Sequence, residues 1–390
     1  MRIYLDHNAL SPLRPAVREA CAQVEALAAN PASIHRSGQR ARRALEAARA
    51  QVAALIEADP RQIVFTSGGT EANNLAIFGA AAATPVRRRI VSSSIEHSSI
   101  LEPLAALGSR GFEVVMLPVD SVGRLDLAAA LEAIDTRTML VTLGLANAET
   151  GTIQELAAVA HASAEHGALF HVDAAQALGR ISVSAASLSC DLMTLSAHKL
   201  GGPSGAGALY VRDPARLAPQ LLGGPQERGL RAGTPNLAGA VGFGAAAEIV
   251  RNALGEESAR VAKLAGRLLQ RLDADIPGLT LNGPLDGRLP NTLNLTFPGV
   301  LGESLLLALD LEGVEVSMGS ACAAGSVEPS HVLLAMGRSE AQARSSLRIS
   351  LGWSTSAAEI ERAAEIIPRL WRRVAAAEPL VDHATAGAAR

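Results

Sequence analysis

Six apolar, β-rich runs, each closing on polar residues, constrain this chain more than any other feature. "QIVFTSGGTEANNLAIFGAAAA" reads as strand, glycine turn and helix, and "RRIVSSSIEHSSILEPLAAL" repeats the pattern. "FEVVMLPVD", "TMLVTLGLANAETG", "ALFHVDAAQALG" and "CDLMTLSAHK" continue it. Strands that alternate with helices pair in parallel and need helical cover on both faces, which places ligands at the carboxyl ends of the strands. After the Gly/Pro-rich "LLGGPQERGLRAGTPN", an Ala-rich helical pattern runs to about Asp275 and predicts a link between two domains. Beyond it, "TLNLTFPGV", "VEVSMGSAC" and "SSLRISLGW" read as strands and "SAAEIERAAEIIPRLWRRV" as a helix, giving a smaller α/β domain; the closing "ATAGAAR" is expected to fray.

At 390 residues the chain is long enough for two or three domains. A net charge of −3 offers no broad footprint for nucleic acid, and Arg87 to Arg89 reads as a solvated face. The three cysteines, Cys21, Cys190 and Cys322, are odd in number and lack metal-ligand spacing, so thiols in a reducing compartment are expected and no permanent metal. "MRIYLDHNAL" lacks a leader pattern and no stretch reaches the length of a membrane span, from which a cytoplasmic location is expected. Cys21 and Cys190 read as packing residues. Cys322 differs: "SMGSACAAGS" surrounds it with small residues that leave a thiol approachable, although such loops also carry inert thiols.

The strand ends supply chemistry. "SGGT", Ser67 to Thr70, is either an ordinary glycine turn or a phosphate cradle at a helix N-terminus. Asp173 in "HVDAAQ" is either a helix cap or a buried carboxylate in need of a cationic partner. Lys199 in "SAHK" is either an exposed cap or a desolvated amine able to form an imine. Together, a phosphate cradle, a carboxylate for a pyridine nitrogen and an imine-forming amine are what pyridoxal 5'-phosphate requires of a protein.

With these residues in hand, the chain resembles the cysteine desulfurases of the iron-sulfur and nitrogen-fixation type, class-V aminotransferases of fold type I. The resemblance runs through "YLDHNALSP", "SIHRSGQRAR", "FTSGGTEANNLAI", "IEHSSIL", "ALFHVDAAQALG", "LSAHKLGGPSGAGALYVR", "QERGLRAGTPN", "SMGSACAAGSVEPSHVL" and "SLRISLG", nearly the whole chain. It implies an N-terminal segment at 1–15 that packs with the small domain. A large cofactor domain at 16–255, with a mostly parallel seven-stranded sheet, and a small C-terminal α/β domain at 256–390 would follow.

The same resemblance implies that Lys199 carries the cofactor and moves the Cα proton, that Asp173 pairs with the pyridinium nitrogen and Gln176 with the ring hydroxyl, and that His97 stacks on the ring and transfers protons. Gly69, Thr70, Ser196 and His198 would hold the phosphate, joined by Thr234 from the second subunit of a homodimer. Arg348 would clamp the substrate carboxylate, with Asn147 nearby. Cys322 would take sulfur from L-cysteine as a persulfide, leaving L-alanine. From there the sulfur would pass to an acceptor such as an iron-sulfur scaffold protein, with which Cys322 could share a transient cluster contact, or a tRNA-thiolation enzyme. A loop of small residues suits that travel. Three positions depart from the family pattern: Ala148 where relatives commonly have a second Asn, Leu10 at the substrate entrance, and Ser204 in place of Lys. A selenocysteine lyase or an aminotransferase on the same fold is the alternative enzyme, and a catalytically weak platform for sulfur acceptors is the alternative outside enzymology.

Overall fold

A computed structural model describes residues 2–84, 86–319 and 328–377. The chain begins with β1 (Ile3–Tyr4) and the helices α1 (Pro15–Glu25) and α2 (Arg36–Leu55). The alternation then runs β2 (Ile63–Thr66), α3 (Gly69–Ala83), β3 (Arg89–Ser93), α4 (Ser98–Gly108), β4 (Glu113–Leu117), α5 (Leu127–Ala133), β5 (Thr138–Gly144), α6 (Ala157–Glu165), β6 (Leu169–Asp173), β7 (Leu192–Ser196) and β8 (Gly207–Val211). These strands form one seven-stranded sheet in the order β2-β8-β7-β6-β5-β3-β4. Only β8 runs against its neighbours, so the other six deliver their carboxyl ends to the same edge. Along the central β5 the burial is nearly continuous, as a strand covered by helices on both faces requires.

The single helix α7 (Leu237–Asp275) joins two apolar cores. Its first part lies against the sheet side through Ala240, Phe243, Ala247 and Val250, and its later part enters a second core through Val261, Leu264, Leu268 and Leu272. The glycines of its first turns explain how closely it packs. An added Cβ would fall 2.5 Å from Cys21 Sγ at Gly242 and 2.7 Å from Ala48 Cα at Gly244, so α1 and α2 reach α7 at backbone distance.

The second core is built on β9 (Thr280–Asn282), β10 (Thr292–Thr296), α8 (Gly302–Leu311), β11 (Val314–Glu315), α9 (His331–Ala335), α10 (Glu340–Arg344), β12 (Ser346–Ser350) and α11 (Ala357–Ala377). The strands β12, β10 and β9 form an antiparallel sheet, while β1 pairs in parallel with β11. In the run "VEVSMGSAC" the described residues form the two-residue β11 and an isolated bridge from Ser317 to Arg348 of β12. Ile3 and Leu5 are buried in this second core, which carries the N-terminal segment across the molecule and past the sheet edge. Among the described residues no helix is long and apolar enough to cross a membrane.

Candidate active site

Asp173 is the last residue of β6, and the carboxyl edge of the sheet gives its side chain two donors. Asn73 Nδ2, from α3, donates to Oδ2 at 2.8 Å, and the Ala175 N–H donates to Oδ1 at 2.9 Å. Within the chain itself, both hydrogen-bond donors to this carboxylate are amides. The same Asn73 nitrogen donates to Ser99 Oγ at 2.8 Å, which ties α3 to α4.

Lys199 closes the turn after β7. Its Nζ donates to the carbonyls of Asn8 at 2.5 Å and Ala9 at 2.9 Å, so the N-terminal segment holds the amine. Burial, with the guanidinium charges of Arg180 and Arg348 close by, brings its pKa from 10.5 down to about 7. The amine is therefore substantially neutral, and nucleophilic, near neutral pH.

The turn from β2 into α3 lies beside the end of β7. A Cβ at Gly69 would fill that space, 3.6 Å from Thr194 Cγ2 and 3.7 Å from Ser196 Cβ. Behind it, a Cβ at Gly207 of β8 would meet the Gly68 carbonyl carbon at 2.6 Å, so the turn rests directly on β8. Ser196 Oγ lies 3.1 Å from His198 Nδ1, and burial lowers the His198 pKa to about 4, which keeps that ring neutral. Unpaired N–H groups at the start of α3, with a hydroxyl and an imidazole alongside, form a cradle suited to a phosphate.

His97 caps α4: its Nδ1 accepts from the Ser99 N–H at 3.0 Å. Burial lowers its pKa, and an accepting Nδ1 leaves the proton of the neutral ring on Nε2. Gln176 is buried; its Nε2 donates to the Asn8 carbonyl at 3.1 Å and its Oε1 accepts from Arg180 Nη1 at 2.8 Å.

On the small-domain side, Arg348 projects from β12 and is almost fully buried. It donates from Nη2 to Asp6 Oδ1 at 2.7 Å and from Nη1 to the Gly319 carbonyl at 2.8 Å, and its Nε is buried without a partner among the described residues. Asn147 is largely spent on its own turn. Its Oδ1 accepts from the N–H groups of Glu149 and Thr150 at 2.9 and 3.0 Å, and its Nδ2 donates to the Ile95 carbonyl at 3.0 Å, leaving one amide hydrogen. Ala148 contributes only its carbonyl, which accepts from Asn8 Nδ2 at 2.9 Å.

Thr234 is exposed on the stretch before α7, and Cys322 lies outside the described residues. The segment carrying Cys322 is flanked by two anchored points: the Gly319 carbonyl on Arg348, and Ser330, whose Oγ donates to Glu149 Oε2 at 2.5 Å. Cys190 is fully buried, with its pKa pushed up to about 12, and burial also raises that of Cys21, so neither is a ready thiolate. His35 caps α2 and His161 is an exposed partner of Glu165. Among the described residues no three His, Cys, Asp or Glu side chains converge to hold a metal ion.

Sequence reasoning missed Asn8, Asn73 and Arg180, the groups that hold Lys199, Asp173 and Gln176. Asn8 and Asn73 left a trace, inside the motifs "YLDHNALSP" and "FTSGGTEANNLAI", and Arg180 left none. The assembled set suits a phosphorylated pyridine aldehyde: a cradle, a carboxylate held by neutral donors, and a partly deprotonated amine facing the same edge.

Comparison with known proteins gives the family. Residues 3–363 match the family described as Aminotransferase class-V. A cysteine desulfurase of Nostoc sp. (strain PCC 7120) is 43% identical over 382 residues, covering 97% of this chain and 94% of that protein. The cysteine desulfurase IscS of Dictyoglomus turgidum is 41% identical over 379 residues, covering 97% and 96%. Among solved structures, a NifS-like protein superposes with a TM-score of 0.90 at 35% identity, over 96% of this chain and all of that one. A structure described as SspA in complex with cysteine gives a TM-score of 0.80 at 34% identity, over 90% and 99%. The chain belongs to the class-V aminotransferase family, among its cysteine desulfurases.

Proposed function

We propose that this cysteine desulfurase uses pyridoxal 5'-phosphate to convert L-cysteine to L-alanine, with the sulfur passing to Cys322 as a persulfide. The observation that carries the reading is the meeting of Lys199, with its amine near pKa 7, Asp173 and the open N-terminus of α3 at one edge of the sheet. When bound, the cofactor supplies an aldehyde for the substrate amine and a protonated ring that accepts electrons from the Cα–H bond.

The chain's own residues do the rest. Gly69, Thr70, Ser196 and His198 hold the phosphate. Asp173, fixed by Asn73 and Ala175, would hold the ring nitrogen, with Gln176 for the ring hydroxyl and His97 for the ring face. Lys199 accepts the Cα proton and returns it. Arg348 orients the substrate carboxylate, with the remaining amide hydrogen of Asn147 near that end of the site.

The thiolate of Cys322 attacks the substrate sulfur. The Cβ–S bond breaks with its electron pair left on carbon, which is then protonated, so that L-cysteine and one thiol become L-alanine and one persulfide. Thr234 completes the phosphate site from a second subunit, and the persulfide then serves an acceptor protein in the cytoplasm. A division into 1–15, 16–255 and 256–390 is supported by the two apolar cores that share α7.

The test is Cys322→Ser. Holoenzyme of this variant should keep its cofactor and its spectral response to L-cysteine, yet form neither alanine nor protein-bound persulfide. In the wild type, alkylation and peptide mass analysis should place the extra sulfur on Cys322. Wild-type yields of alanine from the variant would reject the mechanism and favour a selenocysteine lyase.

A further inference from the structure

The contacts of Arg348 leave a ligand carboxylate one edge of the guanidinium, and Asp6 already holds one nitrogen of that edge. A guanidinium has five N–H donors, and a carboxylate bound by a fork uses two neighbouring ones. Nη1 faces the carbonyls of Gly319 at 2.8 Å and Ala148 at 3.4 Å. Backbone pairing fixes the Gly319 side, because Ser317 and Arg348 exchange both of their main-chain hydrogen bonds, at 3.1 and 2.7 Å. What remains is the edge formed by Nη2 and Nε, which has no partner among the described residues, and Nη2 already gives one of its two hydrogens to Asp6 Oδ1 at 2.7 Å.

The two acceptors differ in how readily they yield. The Asp6 main chain is anchored by its bridge to Ser350, but its side chain is 19% exposed against 3% for Arg348, and among the described residues Arg348 is the only side chain that donates to its carboxylate. It can swing towards solvent, whereas the Gly319 carbonyl belongs to a main chain tied down two residues earlier at Ser317.

We propose that Asp6 is a specificity-determining residue: an internal carboxylate that competes with the substrate and product carboxylates for Arg348, setting how tightly amino acids bind and helping alanine to leave. This rests on the reading of Arg348 as the carboxylate clamp. The competitor also has a physical reason to exist, since a buried guanidinium left without a counter-charge between turnovers is costly. Two carboxylates on one guanidinium repel each other, so the ligand gains only the difference between its own contacts and those of Asp6.

The experiment uses holoenzyme of the wild type, Asp6→Asn and Asp6→Glu. Binding of L-alanine and of L-alaninamide is measured by calorimetry, with kcat and KM for L-cysteine alongside. Asp6→Asn keeps the shape and removes the charge, so L-alanine should bind on the order of tenfold more tightly and KM should fall. L-Alaninamide, which has no carboxylate, should bind as before. Asp6→Glu keeps the charge, and its preference for alanine over alaninamide should stay near that of the wild type.

A merely structural Asp6 would make both ligands weaker together in Asp6→Asn, and unchanged alanine binding in a folded variant would equally overturn the proposal. Absence of cysteine turnover in the wild type would instead reject the functional reading, while the contrast between alanine and alaninamide still decides the role of Asp6.

Discussion

Lys199 should destabilise the protein that depends on it. Its pKa falls from 10.5 to about 7 in the folded chain, a gap that amounts to about 5 kcal/mol at about 1.36 kcal/mol per pH unit. Because the folded value is the lower one, the unfolded chain holds more protons between those two pH values, and stability rises with pH across that window. Below pH 7 the full penalty applies. In Lys199→Met nothing titrates at this position, and the side chain keeps a similar length.

The substitution also removes the hydrogen bonds to the carbonyls of Asn8 and Ala9. At about 1 kcal/mol each, those losses leave the cofactor-free variant more stable by about 2–3 kcal/mol at pH 7, and the gain should vanish near pH 9. Above that pH the wild type should be the more stable of the two. Urea midpoints and slopes for both cofactor-free proteins, followed by circular dichroism at pH 7, 8, 9 and 10, check this. A stability difference that does not vary with pH, or a variant weaker than the wild type at pH 7, would refute the reasoning.

Two further outcomes follow from packing. Glu227 and Arg49, each 4% exposed, form a two-pronged ion pair at 2.6 and 2.9 Å; Glu227→Gln should leave the guanidinium short of charge and cost about 3 kcal/mol, read as a lower urea midpoint, and an unchanged midpoint would contradict it. Gly207→Ala should push the Ser67–Gly69 turn outwards, because the new methyl would sit 2.6 Å from the Gly68 carbonyl carbon. The expected result is a fold preserved by circular dichroism with cofactor affinity weakened on the order of tenfold, from about 1–3 kcal/mol of overpacking, and wild-type affinity would count against the cradle.

The strand-helix alternation, the long α7 and the polar strand ends are legible in the sequence because they are local. Periodicity of apolar residues reports which face is buried, and a strand that must end at a ligand edge ends in residues that do chemistry. Thus Asp173, Lys199 and the Ser67–Thr70 turn stand out from their positions along the chain alone. Cys322 stands out by its small-residue surroundings, but its role, like Arg348 itself, enters through motif resemblance, which carries residue types but not their partners.

What only the tertiary structure decided is who holds these groups. Asn8 meets Lys199 across 191 residues, Asn73 meets Asp173 across 100, and Asp6 meets Arg348 across 342. A main-chain carbonyl, a side-chain amide or a carboxylate leaves no periodic signal, and for Asn8 and Asp6 the partner is fixed only when the N-terminal segment, buried through Ile3 and Leu5 in the second core, is drawn past the edge of the sheet. The same closure removes water from Lys199 and brings Arg180 and Arg348 near it. An amine near pKa 7 is therefore a property of the fold, since burial and neighbouring charge exist only once distant segments have met.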